Sequence, residues 1–146
     1  MKLFKRKMSK KLKTAIHALA DGIECGAKLR PQCIGSLMKC VGSEAGTLVY
    51  GSCALGAAAE CKIRAIVQDM PEATLKAKVQ GITKYSDILA MYGVQDRSAD
   101  RTIAVEGDFN IVSNGEPDAI STLIYRLNDQ REWTREQIAA FLRDLD

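Results

Sequence analysis

The sequence predicts a mainly α-helical, compact multi-helix domain with one small β-hairpin and a C-terminal helical hairpin. Three observations predict it. Apolar residues recur at three- and four-residue spacing through most of the chain, the pattern of one helix face. Residues suited to starting a helix stand before several of those runs. Only residues 102–112 show the two-residue alternation of a strand pair. The 146 residues are 47% hydrophobic, and a chain of this length buries about 68% of its extended surface in one domain without staples.

Taken in order, Ser9 is placed to cap a first helix bearing Leu12, Ile16 and Leu19, with Gly22 and Gly26 expected to interrupt or end it. Arg30-Pro31 marks a boundary, because the residue before proline is pushed out of the helical region. A short helix is expected from about Pro31 to Cys40, grouping Ile34, Leu37 and Met38. Gly42, Gly46 and Gly51 make Val41 to Gly51 read as a loop that matches neither phosphate-loop fingerprint. Ser52 then caps a central helix with Leu55, Ala59, Ile63, Ile66 and Met70 on one side, while Gly56, Ala57 and Ala58 let another helix approach closely. Pro71 ends it or starts the next turn.

A further helical pattern covers Ala73 to Ile82, and Ser86 is read as the cap of Asp87 to Tyr92. Ile103 and Val105, then Gly107-Asp108, then Phe109 and Ile111 suggest the hairpin at 102–112. Asn114-Gly115 is a turn, and Pro117 suits the first position of a helix. Ile120, Leu123, Ile124 and Leu127 form the next stripe, closed by Asn128-Asp129. Thr134 and Gln137 then make a capping box, with Trp133 set to staple onto Ile138. Ile138, Phe141, Leu142 and Leu145 complete the last buried stripe.

Charge is distributed unevenly. Lys2, Lys5, Arg6, Lys7, Lys10, Lys11 and Lys13 lie in the first thirteen residues with no acid among them. The rest carries 14 bases and 18 acids, a net of −4, so the overall +3 describes an arm and not a body. We therefore divide the chain into a basic arm, residues 1–11, and a single mostly helical domain, residues 12–146. The arm suits nucleic-acid phosphates, an anionic membrane surface or plain solvation. The last helical hairpin does not suit DNA reading, because Asp118 to Asp146 holds four bases against six acids. No run is long and apolar enough for a transmembrane segment. Ala15 to Ala20 is too short for a signal peptide, contains His17 and meets Asp21, so secretion by that route is not expected.

The five cysteines are Cys25, Cys33, Cys40, Cys53 and Cys61. Their odd number favours reduced thiols in a cytosol. Their gaps lack zinc-chelating form, and His17 is the sole histidine. Cys33 with Cys40, and Cys53 with Cys61, are spaced to share a helix face as small core residues. Pairing of His17 with a thiol or Ser52 lacks an orienting acid. Asp69/Glu72 and Glu106/Asp108 are ordinary surface acids unless a metal draws them together. No cofactor is expected. Lys28, Arg30 and Gln32 place three donors beside rigid Pro31, a candidate anion or partner site.

Gly26-Ala27-Lys28-Leu29-Arg30-Pro31-Gln32, Cys53-Ala54-Leu55-Gly56-Ala57-Ala58 and Leu127-Asn128-Asp129, followed by Trp133-Thr134-Arg135-Glu136-Gln137-Ile138-Ala139, resemble a family of small uncharacterised bacterial and phage proteins. The resemblance covers most of the chain in patches. It implies a bacterial or phage-infected host cytosol and supplies no mechanism. That family often has a Cys-Pro-x-Cys-like segment before the last hairpin, whereas no cysteine lies between Ile82 and Pro117 here.

Three functional readings follow. The first is a non-enzymatic interaction or regulatory module, a phage accessory or inhibitory protein for example, binding another protein or a second copy as a homodimer. The second is a nucleic-acid-associated protein holding phosphates through the N-terminal arm. The third is a small metal-dependent hydrolase.

Overall fold

Ser9 starts the first helix in the way its sequence context requires. In the computed structural model, which describes residues 9–95, 112–113, 116–117 and 120–145, its hydroxyl accepts from the Leu12 amide at 3.1 Å. Helix α1 then runs over Lys10–Ala27. Lys10 and Lys11, assigned to the arm by charge, form its first turn. Ile16, Leu19, Ala20 and Ile23 are its buried stripe. Gly22 and Gly26 do not interrupt it, contrary to expectation. Both are sites of close approach: an added Cβ would strike the Tyr92 hydroxyl at Gly22 and the Ala57 carbonyl oxygen at Gly26.

The helix expected over 31–40 is absent, and the segment expected to be a loop is a hairpin. Strand β1 (Met38–Glu44) pairs antiparallel with β2 (Thr47–Ser52), with a bulge between Cys40 and Gly42. Ala45 and Gly46 have φ of 51° and 82°, the pair of positive values that a two-residue I′ turn needs. Gly35, at φ 89°, also bends the backbone out of any helix before β1. Cys33 and Cys40 therefore share no helix face; Cys33 is buried and Cys40 exposed.

Ser52 remains in β2, and the cap of helix α2 (Ala54–Ile66) is Cys53, whose sulfur accepts from the Gly56 amide. The whole run from Ala54 to Glu60 is buried, small and apolar up to Ala59 and then charged at Glu60. Gly56 allows the Leu37 carbonyl to lie against α2, and Gly26 brings in α1. The expected stripe stops early, because Ile66 is 75% exposed. Around this central helix pack α1, α3 (Glu72–Gln80), α4 (Tyr85–Met91) and α5 (Ile120–Asp129). Lys84, not Ser86, is the N-cap of α4.

The pairing of β3 (Val112–Ser113) with β4 (Glu116–Pro117) flanks residues 114–115. Pro117 thus sits in a strand, not at a helix start. The expected hairpin over 102–112 falls almost wholly outside the described residues. Helix α6 (Arg135–Arg143) begins with the expected capping box, both hydrogen bonds of which are made. Trp133 stands against Phe141 edge-on, with ring centroids 5.7 Å apart. Helix α6 packs chiefly on α1, not on its chain neighbour α5. The Arg143 guanidinium ties it to Asp21 and Glu24 of α1 at 2.6 and 2.8 Å. The product is a compact mainly-α domain carrying a small antiparallel hairpin. No described helix is long and apolar enough to cross a membrane.

Candidate functional site

The segment singled out for its donors, Gly26 to Gln32, leads from the end of α1 towards β2. Lys28 caps α1 and is exposed. Arg30 turns inward: its Nε and Nη2 donate to the two carboxylate oxygens of Glu60 at 2.7 and 2.8 Å. Its Nη2 also reaches Glu72 at 2.6 Å. Arg64, one turn beyond Glu60 on α2, donates to Glu60 and Glu72 at 2.9 Å each. Glu60 is fully buried, so a bidentate arginine partner is what makes its charge tolerable there. Hydrogen bonding to Arg30 pulls the Glu72 carboxyl below its ordinary range.

Gln32 turns elsewhere. Its Nε2 donates to Asn128 Oδ1 and to the Trp133 carbonyl, both at 2.8 Å. The three predicted donors therefore meet three environments and form no common anion cradle. Asn128, read from sequence only as a helix-closing residue, is the centre of this second cluster. Its Oδ1 also accepts from the Ala54 amide at 3.1 Å, and its Nδ2 donates to the Cys33 carbonyl and to Asp129 Oδ1. Every hydrogen-bonding position of the amide is used, as a fully buried asparagine requires.

Beside it lies Arg135, the first residue of α6 and 5% exposed. It donates to Ser52 Oγ at 2.9 Å, to the Ser52 carbonyl, to the Ala27 carbonyl and to the Arg30 carbonyl at 2.7 Å. Ala27 ends α1, so the cation sits at the negative end of that helix dipole. Burial still pulls the guanidinium below its usual arginine range. Sequence reading counted Arg135 only as one of the four bases between Asp118 and Asp146. Its position directly after the capping threonine gave no sign that the side chain would turn into the domain.

The thiols here are poor nucleophiles. Burial pushes Cys53 up to about 12 and raises Cys33 as well. His17 Nε2 is buried without a hydrogen-bond partner among the described residues, and Ser52 Oγ is engaged by Arg135. The pairing of that nitrogen with Ser52 or a thiol is not formed. Glu72 is held by two arginines, while Glu106 and Asp108 lie outside the described residues. No group of three or more His, Cys, Asp or Glu residues converges as a metal site among the described residues. Residues 2–7 of the basic arm are likewise outside them; Lys10 and Lys11 are exposed, and Lys13 is half-buried.

The outward face of the molecule is the hairpin. All of Lys39 to Glu44 is exposed, as are Leu48 at 59% and Val41 at 43%. At its base is an open cleft of about 480 Å³ lined by Leu37, Met38, Lys39, Gln80, Ile82 and Tyr85, with Gln80 Nε2 donating to the Met38 carbonyl at 3.2 Å. Comparison with protein-family models, with curated proteins and with solved structures finds no match to this chain.

Proposed function

We propose that this chain is a non-enzymatic protein-interaction module with a regulatory role, and that its hairpin docks on a second copy of itself. One observation carries the reading: β1 exposes six consecutive residues, and no described strand pairs with its outer edge. Such an edge is a template for another strand. In an antiparallel pairing of β1 with the β1 of a second copy, Lys39 falls opposite Glu44 and Glu44 opposite Lys39. The Ala45-Gly46 tip of each hairpin then lies beyond Lys39, over the cleft beside Met38 of the other copy. The contact is reciprocal and closes as a two-fold dimer. The bulge at Val41 shortens the ladder. The charge pairs therefore select the register more than they supply affinity, and Val41 and Leu48 provide apolar area.

The resemblance to small bacterial and phage proteins supports placing such a module in a bacterial cytosol as a phage-encoded accessory or inhibitor. The test is light-scattering mass across a concentration series. The wild-type chain shifts from monomer to dimer mass. K39E and E44K each weaken the dimer several-fold, and the double variant restores it, as roughly 1 kcal/mol per exposed pair implies. Monomer mass at every concentration would overturn self-docking.

A second reading, nucleic-acid binding by the arm, has its own supporting observation. The first turn of α1 holds Lys10, Lys11 and Lys13 and no acid, where the helix dipole disfavours cations. That cluster is unfavourable for the helix and suits phosphate contact, chiefly through exposed Lys10 and Lys11. Copurifying nucleic acid that raises the 260/280 nm ratio at about 0.1 M salt and leaves at 1 M is its expected sign.

A further inference from the structure

Cys25 and Cys61 are far apart in sequence and lie on different helices, yet the crossing of α1 and α2 brings them together. Gly26, the residue after Cys25, has the Ala57 backbone where its Cβ would stand. Cys61 follows Ala57 by one helical turn. The Cys25 sulfur is near enough to Cys61 across this crossing to perturb its thiol. Tyr92, the C-cap of α4, packs at the same crossing. Its hydroxyl donates to the Ala58 carbonyl at 2.6 Å and abuts the Gly22 backbone, and Lys62 Nζ stands 4.7 Å from its ring centre. Cys25 is exposed and Cys61 half-buried, so only Cys25 meets a reagent from solvent directly. Burial and the adjacent Cys25 sulfur push the Cys61 thiol up to about 12, so Cys25 is the sulfur placed to react first.

We propose that Cys25 and Cys61 form a redox modification site that closes an intramolecular disulfide across the α1–α2 crossing on reaction with a small-molecule disulfide. In the first step the Cys25 thiolate attacks one sulfur of the reagent. The reagent's S–S bond breaks, one thiolate leaves, and Cys25 holds the other half as a mixed disulfide. In the second step Cys61 gives up its proton to the departing thiolate and attacks the Cys25 sulfur, releasing the second thiol. Two protein thiols are thereby oxidised by two electrons, and one reagent disulfide is reduced to two thiols. The close approach of Gly26 to the Ala57 backbone brings the two helices together beside both cysteines, and a disulfide needs short backbone separation. Cys33 and Cys53, both buried, stay outside the exchange.

The test uses the full chain carrying Cys40→Ser, which removes the other fully exposed thiol, incubated to completion with oxidised glutathione. A glutathione adduct on Cys25 is expected first. It then gives way to a glutathione-free chain with two fewer thiols, and peptide mapping joins the Cys25 and Cys61 peptides. The crosslink raises the thermal midpoint by roughly 5–10 °C, and a dithiol reductant reverses the rise. C25S and C61S in the same background yield no crosslink; C25S changes an exposed side chain and keeps the fold available for comparison. A glutathione adduct that persists on Cys25, or a bridge that uses Cys33 or Cys53, overturns the proposal.

Discussion

Arg135 and Glu60 are both removed from water, but they are compensated differently. Arg135 is surrounded by carbonyl oxygens and a hydroxyl, so Arg135→Met removes the donor from four acceptors, of which the Ser52 carbonyl keeps the Cys33 amide. We expect a loss of about 2–4 kcal/mol in urea unfolding, with Arg135→Lys nearly as harmful because an ammonium lacks the planar fork. Glu60→Ala should cost about 3 kcal/mol, since Arg30, 9% exposed at its side chain, would lose its bidentate partner. Glu72 adds a pH dependence. Its folded carboxyl lies below the ordinary value of 4.5. Its stabilisation is therefore complete at neutral pH and is lost as pH falls from 4.5 through the lower folded value. Because Glu72 is half-exposed, the term is under about 1 kcal/mol. Glu72→Gln should flatten that part of the acid-stability curve.

Among elements, the α1–α2 contact is set by glycine. Gly26→Ala gains about 1 kcal/mol of helix propensity, yet the added methyl meets Ala57 backbone that cannot swing aside. Net destabilisation of about 2 kcal/mol or more is expected from thermal unfolding. Gly42→Ala, with open space around it, should be neutral or stabilising by up to about 1 kcal/mol. The same comparison explains what the sequence disclosed. The caps at Ser9 and Thr134 were legible because hydroxyl, helix and periodic stripe lie within one local window. The β1–β2 hairpin was not. Burial is confined to Met38 in β1 and to the end of β2, so no alternating core face marked its strands, and its turn uses Ala45 where Asn or Asp would have advertised it. The small-residue run of α2 announced a close neighbour without naming it. The polar cluster was least legible: Gln32, Asn128 and Arg135 meet across more than ninety positions, and no local pattern records such a meeting.

For the whole molecule, the topology joins its two ends. Helix α6 covers α1, Arg143 bonds residues 122 and 119 positions earlier, and Arg135 closes the end of α1 from 108 positions away. Truncation after Glu132 should therefore unfold the domain and not merely trim it, with loss of near-ultraviolet circular dichroism as the measurement. A ribosome makes α1 first and α6 last. While the intervening residues are synthesised, Ile16, Leu19 and Ile23 have no final cover, and the carbonyls at the end of α1 have no guanidinium. The domain consequently commits to its native form only once α6 has been made, and its early segments spend that interval exposed to chaperones and proteases.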